Sequence, residues 1–294
     1  MILKRTPGEK TFMMFNMLFV SAAALACILP FVNTIAVSLS SNYYADGGMV
    51  TFWPRGFTVR SYEYLLGMAP FWNSFGISLK RVGLGIVFNM FLTVITAYPL
   101  SKMRDKFPSR RLYIWFFFIS MIFTGGLIPN YMLIQDLGLM NTIWSLILPS
   151  TVPIGNIILL LNFFRQIPGE LEDAALIDGA GHFRTLFRIF VPCSLPALAT
   201  LTLFCTVGHW NAWFDGLIYM NRMENYPLQS YLRTVIVDVT IMMTTNPNYD
   251  ALKELSDRTI KNAQIIIATI PVLMVYPLLQ KYFITGLTLG SVKG

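Results

Sequence analysis

The chain has 294 residues, of which 55% are hydrophobic and only 13% charged, and its formal net charge is +7. A soluble domain has about 25% charged residues, so this composition excludes an ordinary soluble enzyme and a basic nucleic-acid-binding domain. The three cysteines lie within or beside apolar stretches, so we expect neither a disulfide framework nor a metal site.

The first apolar stretch follows the N-terminal residues MILKRTPGEK. It is too long for a signal peptide, whose apolar region is about 7–15 residues, although the small residues from Ser21 to Ala26 leave a cleaved signal as the alternative. Five further stretches without charges follow, and about 20 residues suffice for a helix to cross the ~30 Å hydrocarbon layer. Buried helices of a large soluble core are the other reading, but six such stretches leave too little amphipathic sequence to cover one. The sequence therefore predicts an all-α membrane protein with one domain over 1–294 and transmembrane helices at about 13–38, 75–101, 111–130, 142–164, 193–218 and 262–284.

The basic residues indicate the orientation. Thirteen of the 22 Lys and Arg residues lie on the same side as the termini, five of them in the turn KMRDKFPSRR that starts at Lys102. Cytoplasmic segments carry the excess of Lys and Arg, so we expect both termini inside and the loops at about 40–73 and 219–261 outside. Lys80 and Arg81 are then assigned to the outer side.

Catalytic motifs are absent from the sequence. There is no G-x-x-x-x-G-K-[ST] loop for a nucleotide, no H-E-x-x-H and no G-x-S-x-G. An intramembrane enzyme or an ion-coupled carrier needs ionisable residues at mid-depth, and the nearest is Asp215 towards the outer end of the fifth span. We therefore expect no catalytic residues, no metal and no cofactor bound to this chain.

The cytoplasmic loop at 165–192 has a pattern of its own. Acidic residues after Pro168 suit the start of a short helix near Glu170, and Gly179 and Gly181 suit its end. Leu171, Ala174 and Ala175 are spaced to form a small apolar face that can dock against another protein. A second short amphipathic helix is predicted from Phe183, Leu186, Phe187 and Phe190, with Arg184 and Arg188 on another face and Pro192 before the fifth span. From periodicity alone, an ordinary amphipathic connector remains equally possible.

The residues of this loop resemble the EAA loop of type I ABC importer permeases in bacteria. Its pattern is E-A-A, three residues, G, nine residues and I-x-L-P, which aligns with Asp173-Ala174-Ala175, Gly179 and Ile189 to Pro192. Asp173 in place of Glu and Val191 in place of Leu are conservative departures. The sequences NYMLIQDLGLMNTIWSLILP, GHWNAWFDGLIYM, NYPLQSYLR and KYFITGLTLGSVKG are similar to the carbohydrate-uptake branch, to the second subunit of maltose-type permeases, and most to oligosaccharide permeases of Gram-positive bacteria.

The resemblance implies the type I ABC importer permease fold in the cell membrane, with a homologous second permease subunit and two ATPase subunits or domains. It also implies an extracellular solute-binding protein, and it places ATP and Mg²⁺ in the ATPases. The first helix of the loop would couple this chain to an ATPase through Glu170, Leu171, Asp173, Ala174, Ala175, Asp178, Gly179, Ala180, Gly181 and Phe183. The resemblance leaves open a permease of the same type for a non-sugar solute, and an ATP-independent carrier or channel is a further alternative.

A sugar path needs amides for hydroxyl groups and aromatic faces for the rings. The candidates in the sequence are Asn89, Trp210, Asn211, Trp213 and Asp215. Tryptophans near helix ends are also typical interface anchors, and an asparagine within a span is also typical of helix-to-helix hydrogen bonds. Both alternatives stay open at this point.

Overall fold

The computed structural model describes residues 7–103, 106–234 and 256–290. Its regular elements are all helices over these residues, with one isolated bridge between Ser40 and Phe57. The chain forms two compact units, one within Met1–Met68 and Arg233–Thr269 and the other within Ala69–Leu232 and Ile270–Gly294. The predicted all-helical fold is therefore confirmed for the described residues.

The first unit contains α1 (Pro7–Ser38), α2 (Asn42–Asp46), α3 (Arg60–Gly67) and the start of α15 (Asp257–Gly290). The most apolar stretch of 18 consecutive residues in α1 has a mean hydropathy of 2.2, and none of these residues is buried within the protein. An apolar surface of this length suits contact with lipid chains. At the other end of the unit, Arg258 of α15 donates a hydrogen bond of 2.9 Å to the carbonyl oxygen of Ala45.

The second unit is built around α4 (Ala69–Ser101), a helix of 33 residues. It packs against α8 (Ile154–Phe164) and α12 (Leu195–Asn211). The buried side of α4 carries small and polar residues at helical spacing, a pattern that lets neighbouring helices approach closely in a membrane. Those residues are Ser74, Ser78, Arg81, Gly85, Asn89, Thr93 and Ala97.

Three of the predicted spans are bent rather than straight. The span expected over 111–130 consists of α5 (Arg110–Ile122) and α6 (Leu127–Asp136), which meet at 111°. The break contains Gly126, whose φ of 84° belongs to the left-handed region that glycine adopts without strain. The residues expected to form the third span are therefore two helices rather than one.

The other two bends flank the cytoplasmic loop. The segment α7 (Ile143–Ile147) with the 3₁₀ turn Leu148–Ser150 meets α8 at 48°. After α9 (Gly169–Ile177) comes a continuous helical segment of α10 (His182–Thr185), a π-helical turn (Leu186–Phe190) and α11 (Val191–Cys193). It meets α12 at 84°, so the fifth apolar helix begins at Leu195 and ends at Asn211 rather than extending over 193–218.

The remaining elements between α12 and α15 are short. They are α13 (Phe214–Tyr219), the 3₁₀ turn Met223–Asn225 and α14, described over 228–234. Part of the predicted outer loop at 219–261 lies outside the described residues. Among the described residues, three helices are long and apolar enough to cross a membrane, and six spans result when each bent pair counts as one.

Candidate functional site

The helix α9 begins and ends where the loop sequence predicts. Pro168 precedes it, and Glu170 and Glu172 occupy its first turn. Gly179 follows Asp178 with a φ of 78°, and the N–H of Ala180 donates to the carbonyl oxygen of Ala175 at 2.9 Å. A glycine in this left-handed conformation is a common way to end a helix, so α9 is a separate helix of nine residues.

The two faces of α9 differ from the predicted ones. Ala175 is buried, with 8% of its surface exposed, and it faces the protein together with Glu172. Leu171, Ala174 and Ile177 form the outer face, and Ile177 is 86% exposed. The prediction that Ala175 shares a docking face with Leu171 and Ala174 is corrected, because residues 172 and 175 lie one turn apart on the inner side.

The inner face of α9 is fixed by an ion pair. The Nζ of Lys102, just after α4, lies 2.7 Å from the carboxylate of Glu172, and both side chains are less than a tenth exposed. Burial lowers the pKa of Lys102, and the pair with Glu172 opposes this effect. Neither residue stands out in the sequence, since one is the first lysine of a basic turn and the other one of several acids.

A second, exposed ion pair lies beside the first. Lys106 donates a hydrogen bond of 2.9 Å to Oδ1 of Asp173, which raises the pKa of Lys106. Both side chains are largely in solvent, and such pairs contribute little to stability. Asp173, the predicted first residue of the E-A-A pattern, is thus held by a flexible lysine and stays accessible.

The helical segment after α9 presents aromatic residues on two sides. Leu186 and Phe190 are buried, whereas Phe183 is 72% exposed and Phe187 49% exposed. The π-helical turn changes the helical spacing within the segment. Of the ten residues predicted for ATPase coupling, Ala175 alone is buried, and the following nine lie wholly or partly at the surface: Glu170, Leu171, Asp173, Ala174, Asp178, Gly179, Ala180, Gly181 and Phe183.

A cavity of 470 Å³ lies within the second unit, where α4, α7, α8, α12 and α13 meet. Most of its wall is apolar, but the wall also contains amides, hydroxyls, an imidazole and one ion pair. The polar and sulfur-containing residues of the wall are Arg81, Asn89, Ser145, Ser150, Asn156, Cys205, His209, Asp215 and Tyr219.

One end of the cavity holds a buried arginine. Arg81 is 2% exposed, and its guanidinium binds both carboxylate oxygens of Asp215, with Nη1 3.0 Å from Oδ1. Nη1 also donates to the carbonyl oxygen of Ala212 at 3.3 Å. The sequence assigned Arg81 to the outer side, but α4 starts 12 residues earlier and carries it into the protein. Ionisable residues are rare within membrane spans, so Arg81 is a candidate functional residue.

The centre of the cavity is formed by residues of α4, α8 and α12. Nδ2 of Asn89 lies 3.3 Å from Nε2 of His209 and 3.7 Å from Sγ of Cys205. Nδ2 of Asn156 donates to the same sulfur at 3.4 Å. Among the described residues, no group donates a hydrogen bond to the buried Oδ1 of Asn89.

Only part of the predicted sugar path meets at this cavity. Asn89 and Asp215 line it, whereas Trp210, Asn211 and Trp213 do not. Trp210 is 3% exposed and packs edge-on against Phe75, with ring centroids 5.9 Å apart. His209 and Asn156 line the cavity, but they were not among the residues predicted from the sequence. A single histidine or asparagine in an apolar stretch does not reveal which other residues its side chain faces.

The side chains around the cavity can form hydrogen bonds with a polar solute. They both donate and accept hydrogen bonds, as the hydroxyls of such a solute require. Among the described residues, no group of three or more His, Cys, Asp or Glu side chains is arranged to hold a metal ion.

The sequence matches the family described as "Binding-protein-dependent transport system inner membrane component" over residues 85–289, more than half of the chain. The chain belongs to this family. The match begins within α4 and includes α9, the cavity helices α8 and α12, and nearly all of α15. The resemblance to ABC importer permeases is thereby confirmed.

Individual relatives cover almost the whole chain. Protein LplC of Bacillus subtilis (strain 168) is 38% identical, over 98% of this chain and 97% of its own. The polygalacturonan/rhamnogalacturonan transport system permease protein YtcP of the same organism is 37% identical, over 96% of this chain and 99% of its own. A crystal structure of a bacterial ABC transporter involved in the import of the acidic polysaccharide alginate contains a chain with 30% identity and a TM-score of 0.83, covering 95% of this chain and 99% of that one.

Proposed function

We propose that this chain is the transmembrane permease subunit of an ATP-driven ABC importer that takes up a carbohydrate, specifically an oligosaccharide. The observation that carries the proposal is α9, a separate helix with an exposed face of Leu171, Ala174 and Ile177 on an EAA-type loop. The names of the similar YtcP permease and the similar alginate importer support a saccharide as the solute. This chain has no catalytic role in the proposal.

The proposed topology has six membrane-spanning segments, three of them bent, with both termini in the cytoplasm. The bent pairs each provide enough apolar length for one crossing. The basic turn that begins at Lys102 and the loop with α9 then lie on the same side, in agreement with the ion pair between Lys102 and Glu172. This placement puts α9 at the cytoplasmic surface.

The proposed assembly contains a homologous second permease, two ATPase subunits or domains and an extracellular solute-binding protein. The family description supports the binding protein. ATP and Mg²⁺ bind to the ATPases in this assembly, and the outer face of α9 sits in a groove on one of them. A short rigid helix in such a groove transmits ATPase closure to the permease as a rigid-body movement.

We propose that the cavity between α4, α7, α8, α12 and α13 forms part of the solute path in this subunit. Asn89, Asn156 and His209 supply hydrogen-bonding groups for sugar hydroxyls. Because these side chains can donate and accept hydrogen bonds, the cavity suits a solute that is rich in hydroxyl groups. Trp210, Asn211 and Trp213 lie outside this cavity and have no role in this part of the path.

The test is purification of the tagged chain in mild detergent from the bacterium that encodes it, followed by reconstitution in liposomes with its binding protein. We expect a second permease and an ATPase to co-purify, and ATP to drive uptake of labelled oligogalacturonate or alginate fragments. Uptake of a peptide or a polyamine instead would point to a non-sugar importer. Uptake by the chain alone without ATP would contradict the ABC assignment.

A further inference from the structure

The ammonium group of Lys102 lies in an enclosed position at the end of α4. It stands 3.9 Å from the ring centroid of Tyr98 and 4.1 Å from that of Phe190, and the Glu172 carboxylate is 2.7 Å away. A cation over two aromatic faces and next to a carboxylate is held in one position by three partners. The side chains of Lys102 and Glu172 are 9% and 8% exposed, so water screens their attraction weakly.

These partners belong to different helices. Tyr98 lies in α4, Glu172 in α9, and Phe190 in the π-helical turn that leads towards α12. The ring of Phe190 also packs against Tyr98 at 5.0 Å and against Phe164, the last residue of α8, at 5.4 Å. The Lys102 ammonium group therefore connects α9 to a helix that is far from it in the sequence. The more exposed Lys106 lies beside it, 3.6 Å from the Glu172 carboxylate.

The backbone connects α9 to α8 and α12, not directly to α4. Its N-terminal side follows α8 and its C-terminal side leads through the π-helical turn to α12. A push on α9 reaches these two helices through the backbone, but it reaches α4 only through side chains. Glu172 is the buried acid of α9, while the outer face of the helix carries no part of this ion pair.

We propose that the buried Lys102–Glu172 ion pair is a positioning link that makes α4 move together with α9 during transport. The inference rests on the proposed function, because it presumes that an ATPase moves α9. Since α4 carries Arg81 and Asn89 of the cavity, the link joins the ATPase contact to the solute path through one rigid helix. Neither residue touches the solute or the ATPase in this scheme.

The test compares import with ATP hydrolysis in the reconstituted complex with its binding protein. We expect Lys102→Met and Glu172→Gln to hydrolyse ATP within about twofold of the wild-type rate while import falls by about tenfold or more. Lys102→Arg keeps a cation that can lie over the two rings and pair with Glu172, so it should retain more import than Lys102→Met. The matched control is Lys261→Met, which breaks the partly exposed Lys261–Asp257 pair on α15 and should leave the ratio unchanged.

A second variant separates coupling from folding. If Lys102→Met fails to assemble, the double variant Lys102→Met with Glu172→Leu fills the same buried site with apolar groups and should restore assembly. Its ratio of import to hydrolysis should still be low. A normal ratio in Lys102→Met or in the double variant would overturn the inference, while a wild-type complex that imports no carbohydrate would contradict the proposed function as well.

Discussion

The imidazole of His209 lies directly on the backbone of Gly85. A Cβ atom at position 85 would stand 2.4 Å from Nε2 and 2.5 Å from Cδ2 of His209, far inside van der Waals contact. Gly85 belongs to α4 and His209 to α12, and these helices pack along much of their length. The missing side chain at position 85 therefore sets how closely the two helices approach beside the cavity.

Gly85→Ala is accordingly expected to destabilise the protein. The added methyl group must displace a buried imidazole, and overpacking of this kind costs about 1–3 kcal/mol. Heating the purified protein in detergent and measuring the fraction that stays monodisperse should show a Tm lower by about 2–5 °C. Gly83→Ala is the matched control on the same helix, because a Cβ atom there meets nothing within 4 Å. Equal Tm values for the two variants would contradict the close approach.

The helices were predictable because they depend on length and apolarity along the chain. The predicted end of the second span at 101 agrees with the end of α4, although α4 begins at Ala69 rather than at 75. The existence of α9 follows from local residues such as Gly179. The bend at Gly126 was not predicted, although a Gly-Gly pair is a local signal for a break. The 84° bend before Leu195 has a weaker signal, since the proline that follows it is also tolerated at a helix start.

The candidate sites were only partly predictable, because their main contacts join residues that are far apart in the sequence. Arg81 and Asp215 are 134 positions apart, and Asn89 and His209 are 120 apart. A sequence shows that a polar residue lies in an apolar stretch, but not which residue it meets. The same reason explains the error at Ala175. Its position in α9 is compatible with the face of Leu171 or with the face of Glu172, and only the packing of the helix decides between them.

The Arg81–Asp215 pair should contribute strongly to stability. Asp215→Ala leaves the Arg81 guanidinium buried without its counter-charge, and breaking a buried pair from one side costs about 3–5 kcal/mol. The double variant Arg81→Met with Asp215→Ala removes both charges and should recover most of this loss. Thermal stability in detergent is the measurement.

Asp257→Ala is the control for this pair. It removes an acid from the partly exposed Lys261–Asp257 pair, for which the expected cost is roughly 0–1 kcal/mol. If Asp215→Ala were as stable as Asp257→Ala, the arginine would not depend on its partner. No recovery in the double variant would mean that the guanidinium has a separate role in the fold.

The two alanines of α9 should respond differently to the same substitution. Ala174 is exposed and Ala175 is buried, so Ala174→Trp should leave the thermal stability of the isolated chain within about 0.5 kcal/mol. Ala175→Trp should lower it by about 1–3 kcal/mol or more, since a large ring must enter a packed site. Comparing Tm values of the two purified variants tests the orientation of the helix.

The functional effect of Ala174→Trp is a separate measurement. If the outer face of α9 contacts an ATPase, a large side chain there should reduce ATPase recovery in co-purification and lower ATP-driven import by about tenfold. Glu9→Trp, on the exposed first turn of α1, is a comparable surface change outside the loop. Normal import by Ala174→Trp would contradict docking at this face.

The cavity predicts an effect on import from one amide of α8. Asn156 lines it half-buried, and Asn156→Leu keeps a similar volume while removing a hydrogen-bonding group. The loss of a hydrogen bond to a bound sugar costs about 1 kcal/mol, which corresponds to a roughly fivefold lower import rate at saturating solute. The concentration for half-maximal import should stay nearly constant, because the binding protein captures the solute first in the proposed assembly.

Asn162→Leu makes the same change at an exposed position of the same helix and should import at the wild-type rate. Equal rates for the two variants would show that the solute does not use this cavity, whereas a change in half-maximal concentration alone would place the effect at the contact with the binding protein.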